Sequence, residues 1–597
     1  MDKKEKVALE NALTRRFFLA PAFEIYQGVA GLYDLGPCGA QIRQNLISQW
    51  RSHFVVNEDL QEVCCTCLVP EQVLIASGHV AKFADLMVKD TATGECYRAD
   101  KIVEEQLQKR IDATTDAALK HELQTVFNQV DGLSQAETDK VITDYKITSE
   151  AGNPLSPCFP FNLMFQTTIG PSNPQKAYLR PETAQGIFMN FKRGFEQARG
   201  QLPFGIAQIG TAFRNEIAPR NGLLRVREFE QAEIEYFIKD RYESVKNFHE
   251  VKDMKVNLFS YQQQLNGEDY YHDITIGEAI EKKIINHEYL GYFIGRCQQF
   301  LVSVGLDVTK LRFRQHLPKQ LAHYAKDCWD CDCMLYCGWT EIVGIADRSA
   351  YDLQVHSKAS GTDMSAFVKY DTPVQKELFS AKAVMKILAK EFKQNAQALK
   401  QAIETASQEE YERISNELPT GKFTILGLQL PAESIQLVKA MQSVHGESIT
   451  PIVIEPSFGI GRIIYSILEH SFYMRENDEM RTVFKFNPTI APCKCAVISL
   501  MQKDELETVT TQLIRQLRKI GISCKSDDSG VQIGKKYARF DEIGIPYIVT
   551  VDFDSLTDKK VTLRERDSMA QIRIDIATIN QTINDLVQGY VKFEELK

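Results

Sequence analysis

The sequence predicts an α+β protein, and three features carry that reading. Two strand-like runs, Phe204–Arg214 and Arg227–Ile238, follow one another across a loop holding the turn formers Pro219, Asn221 and Gly222. From about Ala491 strands and helices alternate, the pattern of a small α/β domain with a largely parallel sheet. Two polar segments, about Glu104–Tyr145 and Gln375–Glu417, carry apolar residues at helical spacing and read as peripheral helical additions.

Further along, Ile449–Glu455 reads as a strand with Pro451 near its start. It is expected to lead through a Gly459–Gly461 turn into a helix from about Arg462 to Glu469. In the last region CAVISL, ISCKSDD and IPYIVTVDF read as strands, while DELETVTTQLIRQLRKIG and KKYARFDEIG read as helices. The Pro488–Pro492 stretch is a natural linker.

Composition narrows the class. The chain has 597 residues, a net charge of −9, 25% charged and 44% apolar residues, which fits a globular protein and excludes a disordered or fibrous one. No apolar run approaches the roughly 20 residues of a membrane helix. The stretch Ile463–Leu468 is led by Arg462 and closed by Glu469. The opening MDKKEKVALE lacks an apolar segment and reads as neither a signal nor a transit peptide, so a cytoplasmic protein is expected, with a mitochondrial form invisible to this sequence. Fourteen cysteines without a secretory signal are expected to be reduced. The acidic balance disfavours indiscriminate polyanion binding but leaves a specific nucleic-acid patch open.

The common nucleotide signatures are missing. Gly534-Lys535 is followed by Lys536 where a phosphate loop needs Ser or Thr, and Ile464 occupies the third glycine position of a dinucleotide fingerprint begun at Gly459. Two other clusters carry the chemistry. Phe213-Arg214-Asn215-Glu216 followed by Leu224–Phe229 puts an arginine at one strand end and an aromatic at the next strand start. That spacing fits either a phosphate-gripping, base-stacking pocket or a hairpin with surface Arg–Glu pairs. Glu455–Arg462 offers glycines for close backbone approach and an arginine at a helix start, or else a plain strand–helix junction.

At these residues the chain resembles class II aminoacyl-tRNA synthetases: Phe213–Phe229 is similar to their motif 2, Gly459–Arg462 to motif 3, and Gly31–Val55 around Pro37 to motif 1. GLYDLGP, SGHVAKFADLMVKD, RPETAQGIF, RVREFEQAEIEYF, EIVGIADRSAYDL, EPSFGIGR and IGKKYARFDEIG are similar, in order, to the eukaryotic and archaeal dimeric glycyl-tRNA synthetases. The resemblance implies an antiparallel-sheet catalytic core at 1–487, with insertions at about 100–157, 240–325 and 357–445, and an anticodon-binding domain at 488–597. It implies activation of glycine with ATP and transfer to the terminal ribose of the glycine tRNA.

Residue by residue, the resemblance gives Arg214 the α-phosphate and glycine carboxylate, and Arg462 the γ-phosphate and one adenine face. Phe229 takes the other face, and Glu216 with the Arg225–Val226 backbone fixes the adenine. Asn215, Leu224, Arg227, Glu228 and Gly459 complete the ATP site. Glu341, with Ile342 beside it, meets the Mg²⁺–phosphate array, making Arg214, Glu341 and Arg462 the catalytic set. Glu182, Glu233 and Glu455 surround the glycine ammonium with Ser457 and Pro456, and Arg98 and Phe229 reach the same site. Pro37 implies a homodimer interface. Lys535, Lys536 and Arg539 are expected close together on one helical surface, which fits either contact with the tRNA backbone or a solvated basic face. Cys328, Cys331, Cys333 and Cys337 are expected to be buried or free thiols rather than a zinc site. A nucleic-acid-binding accessory subunit on the same fold, or a class II synthetase for proline, threonine or histidine, would have lost these arginines and carboxylates or these motif contexts.

Overall fold

The computed structural model describes residues 1–596 apart from 218, 220, 221, 476 and 477, so Asn221 of the expected loop lies outside the described residues. The chain divides into two compact units, 1–364 with 450–597, and 365–449.

The first unit is built on a nine-stranded sheet. Its strands are β1 (Gln61–Val63), β2 (Phe204–Phe213), β3 (Glu228–Ile238), β4 (Lys255–Phe259), β5 (Tyr271–Thr275), β6 (Leu311–Gln315), β7 (Asp327–Leu335), β8 (Gly338–Ser349) and β9 (Ile452–Gly459). They lie in the order β5-β4-β6-β7-β8-β9-β3-β2-β1. Neighbours are antiparallel except β1 with β2 and β4 with β6. Three of the nine strands fall within 240–325, a stretch that reads as an insertion in the sequence.

Alternation along the strands sorts the side chains onto two faces. Ala232, Ile234, Val343, Ile345, Trp329, Cys331, Ile454 and Phe458 point to one side and are buried with helices α1 (Pro37–Trp50), α2 (Glu288–Ser303) and α3 (Ile460–Ser471) in one apolar core. There the Phe458 ring meets Trp50, Phe54 and Phe300 at 5.8, 5.0 and 5.8 Å. The other face carries Glu233, Glu455, Ser457, Gly344, Cys328 and Asp330, and becomes the floor of a cavity. The expected turn at Gly459–Gly461 is absent: β9 runs to Gly459 and passes directly into α3 at Ile460.

The last region folds as β10 (Cys495–Ser499), α4 (Asp504–Lys519), β11 (Cys524–Lys525), α5 (Ile533–Glu542), β12 (Tyr547–Val551), β13 (Lys560–Glu565), β14 (Gln571–Asp575) and α6 (Ile579–Gln588). Its sheet runs β11-β10-β12-β13-β14, parallel across the first three strands and antiparallel beyond. Buried arginines tie it to the body built on the nine-stranded sheet. Arg566 donates to the carbonyls of Phe486 at 3.0 Å and Gly544 at 2.9 Å, and Asp541 receives both Arg564 and Arg475. Arg15 and Arg16, at the C-terminal end of the helix Lys3–Arg15, both reach Glu542. The three cations expected on α5 separate: Lys535 is exposed, Arg539 is exposed and pairs with Asp527 at 2.8 Å, but Lys536 is only 2% exposed. Its position one residue on turns it inward beside Phe540, so it does not belong to a tRNA-facing surface.

The second unit is a long antiparallel ribbon, Ala366–Ala383 with Ile435–Ile449, carrying three short helices and a hairpin around Leu388, Leu399, Ile403, Ile414 and Phe423. Its helices begin at Met385, so the start of the expected helical segment at Gln375 is strand. Cross-strand pairing from Val374–Val444 to Ala383–Ile435 supplies the hydrogen bonds that a helix would otherwise form.

Candidate active site

A cavity of about 590 Å³ lies over the polar face of the large sheet. The strand ends bring to it residues far apart in sequence: Arg214 from the end of β2, Phe229 and Glu233 from β3, Glu341 and Ile342 from β8, Glu455, Ser457 and Gly459 from β9, and Arg462 from the first turn of α3. Glu182, Glu216, Leu224, Arg225 and Val226 add to the lining from the connecting segments.

At one end the two arginines are already held. Arg214 donates to the Pro181 carbonyl at 3.2 Å, its guanidinium lying 5.2 Å from the Phe83 ring and 5.3 Å from Phe229. Arg462 donates to the carbonyls of Leu224 at 3.1 Å and Glu341 at 2.8 Å, and sits 3.3 Å from the Glu341 carboxylate. Glu216, one of the lining residues, has its Oε2 buried with no hydrogen-bond partner. Arg225 approaches it only to 3.8 Å.

At the other end three carboxylates converge: Glu182, Glu233 and Glu455, 7%, 2% and 7% exposed. Glu233 is fixed by the Thr183 backbone N–H at 2.8 Å, the Thr183 hydroxyl, and the Ser457 hydroxyl at 2.7 Å. Arg348, 1% exposed, donates to Glu455 at 2.9 Å and to Asp352 at 2.9 and 3.0 Å, and lies 3.7 Å from Glu182. His79 stands 3.2 Å from Glu182. Burial alone would raise the Glu182 acid, but His79 and Arg348 outweigh it and hold the carboxylate well below its usual range. For Glu455 burial wins over Arg348, and Glu233 and Glu182 add to it, so that acid is pushed up.

Five expected residues stand outside the lining. Pro456 alternates to the opposite face of β9. Arg98 pairs with Asp85 at 2.9 Å and Asp100 at 2.6 Å. Arg227 braces the motif 2 loop, donating to the carbonyls of Glu216 at 3.0 and 3.2 Å and Ala30 at 2.6 Å. The Asn215 backbone bonds Leu163, and Glu228 is an exposed strand residue opposite Phe213. Conversely, Arg348, His79 and Thr183 hold the pocket and escaped the sequence reading. Arg348 and Asp352 stand four apart, the spacing of any surface helix pair, so only the fold reveals that they are buried.

Glu341 offers a half-exposed carboxylate at the rim, an oxygen donor of the kind a magnesium ion shares with phosphates. The four cysteines diverge: Cys331 and Cys333 face the core, Cys328 faces the cavity, and Cys337 is exposed beyond the strand. Cys328 instead meets His316 and Asp330, with donor atoms within 4.8 Å. Asp330, however, already receives Arg314 at 2.6 Å and His316 at 2.8 Å, which makes this group an ion-paired wall of the cavity.

An antiparallel sheet flanked by helices, with two arginines and a set of carboxylates in one cavity on its polar face, defines a class II synthetase core. The family model for the tRNA synthetase class II core domain (G, H, P, S and T) matches 166–471, and that for the anticodon binding domain matches 494–586. A solved prolyl-tRNA synthetase of Giardia lamblia shares the fold at a TM-score of 0.52 and 12% identity, covering 98% of this chain and 79% of that one. The chain is 46% identical over 594 residues to the glycine–tRNA ligase of Caenorhabditis elegans, covering 98% of this chain and 80% of that one. Similarity reaches the archaeon Methanothrix thermoacetophila, whose glycine–tRNA ligase is 41% identical over 100% of this chain and 99% of its own. The chain belongs to the glycine–tRNA ligase family of class II synthetases.

Proposed function

We propose that this protein activates glycine with ATP and transfers it to the 3′-terminal ribose of the glycine tRNA, releasing AMP and pyrophosphate. The observation that carries this reading is the cavity shared by Arg214, Arg462 and the Glu182–Glu233–Glu455 carboxylates. Glycine enters as a zwitterion. Its ammonium goes to the three carboxylates, and its carboxylate is turned toward Arg214. Attack of that carboxylate on the α-phosphorus builds negative charge on the phosphate oxygens, where the fixed guanidinium of Arg214 stabilises it. Arg462 holds the departing pyrophosphate. The free acceptor Glu216 Oε2 takes the adenine amino group, and the Arg225–Val226 backbone and Phe229 fix the base. Magnesium, held by Glu341 and the phosphates, would supply charge neutralisation of the triphosphate.

Selectivity rests on packing. The pocket grips an ammonium and leaves a substituent on the α-carbon in conflict with fixed side chains, a conflict worth about 1–3 kcal/mol. Pro37 is exposed at the first turn of α1, and the segment shortly before it in the chain exposes the apolar residues Phe23, Ile25, Tyr26 and Val29, which supports a homodimer through this part of the chain. Lys535 and Arg539 are offered to the tRNA backbone. Among the described residues no helix is long and apolar enough to cross a membrane, and we assign the chain to the cytoplasm.

Amino-acid-dependent ATP–pyrophosphate exchange with all twenty amino acids tests the assignment. Exchange is expected with glycine alone, and efficient exchange with alanine would overturn the pocket. Arg214→Ala should lower exchange by about 100- to 1,000-fold, the loss typical of removing one preorganised charge-stabilising group.

A further inference from the structure

Glu235 is a fully buried carboxyl group, 0% exposed, and neither of its oxygens has a hydrogen-bond partner. Such a group is costly to bury and calls for a physical reason. Its place in the fold supplies one. On β3 it lies two residues beyond Glu233, so both side chains project from the same face. The register between β3 and β9 pairs Glu233 with Ser457 and Tyr236 with Ile454, which sets Glu235 opposite Glu455. Its neighbour on β2 is the apolar Ile206. Glu235 therefore sits directly behind the amino-acid end of the cavity, though it does not line it.

The charges around it do not balance if every acid ionises. Glu233 on its own strand, Glu455 on β9, Asp352 on the helix Tyr351–Ser360 and Glu182 just before the helix Ala184–Met189 give four further carboxyl groups. Against them stand Arg348 at the end of β8, and His79 beside Glu182. Each of the four has donors. Glu233 has Thr183 and Ser457, Glu455 has Arg348, Asp352 has Arg348 and Gln185, and Glu182 has Gln185 and His79. Glu235 alone has none. A proton that must reside in this cluster belongs on the group whose charge nothing stabilises. Burial acts on Glu235 in the same direction, reinforced by Glu455.

We propose that Glu235 is a positioning residue of the amino-acid pocket: a carboxyl group kept in its acid form, whose neutrality leaves Glu233, and Glu455 once the substrate's ammonium arrives beside it, to present charge to that ammonium. Ionised, it would set a second negative charge opposite Glu455 and drive the proton there instead. Replaced by an apolar side chain, it would strip polar surroundings from Glu455 with the same result. The proposal rests on the ammonium pocket assigned above.

Three variants of the full-length protein separate the outcomes, read by glycine and ATP KM values in pyrophosphate exchange and by denaturant unfolding across pH. Glu235→Gln, neutral and of the same shape, should keep the glycine KM within about threefold of wild type. Its stability should also fall less steeply with pH. A buried acid ionises near 4.5 when unfolded but higher when folded, so it costs stability as pH rises above 4.5, by up to about tenfold in the unfolding equilibrium per pH unit. Glu235→Leu should raise the glycine KM by about tenfold or more, with the ATP KM unchanged and the defect easing at higher pH, where Glu455 regains its charge. The proposal is overturned if the Gln variant loses glycine affinity as the Leu variant does, or if its unfolding shows the wild-type pH slope; the second readout stands even if the Leu variant fails to fold. Glu233→Gln tests the underlying pocket separately, since an unchanged glycine KM there would remove the ammonium site itself.

Discussion

Arg348 shows how a single side chain organises this site. It serves Glu455 and Asp352 by hydrogen bond and lies within ion-pair distance of Glu182, all in a buried setting, and its guanidinium centre is 3.8 Å from the Tyr324 ring. Replacing it with alanine would leave those carboxylates without their shared counter-charge. Arg348→Ala is therefore expected to lose about 3–5 kcal/mol of stability in denaturant unfolding, the cost of stranding buried charge. Sequence made the arginine end of the cavity legible, because Arg214, Glu216, Phe229 and Arg462 sit in contiguous runs whose residue types stand out together. It hid the supporting partners. Thr183, His79 and Arg348 lie inside runs that carry the family resemblance, but their roles come from contacts across the fold that their residue types alone do not state. Lys536 failed for the opposite reason: a lysine beside two other cations looks solvated until its helix is packed.

At the scale of elements, the β2–β3 pair was readable because alternation and turn formers coincide. The ribbon of 366–383 with 435–449 was not, since its polar side chains alternate with few apolar ones and its partner strand is distant in sequence. Close approach between elements is enforced by small residues. A Cβ at Gly210 on β2 would stand 2.1 Å from Arg180 Nη2, and Arg180 is bonded to the carbonyls of Thr211 at 2.7 Å and Cys65 at 3.0 Å. Gly210→Ala should push Arg180 off both acceptors and cost about 1–3 kcal/mol by overpacking, measurable as a lowered unfolding midpoint. Because β2 delivers Arg214, the displacement should also reduce exchange activity.

The whole molecule stakes its acid stability partly on His53. This imidazole is packed against Phe54 and Phe300 at 4.7 and 5.8 Å and bonded to the Arg296 carbonyl at 3.0 Å. Burial, with Arg296 adding, lowers its pKa from 6.5 to about 4. Between those values an unfolded chain takes up a proton that the folded chain refuses, so stability falls as pH drops from 6.5 toward 4. His53→Gln should flatten that part of an unfolding-versus-pH curve. The order of the large sheet has a last consequence, for how the protein is made. β9 lies between β8 and β3 and hydrogen-bonds to both, yet it is translated long after either. While the ribosome is still reading toward residue 452, the nascent polypeptide holds two raw seams where its middle plank is missing. A message cut short before that point would yield a product with open edges, a substrate for chaperones and proteases rather than a weak ligase.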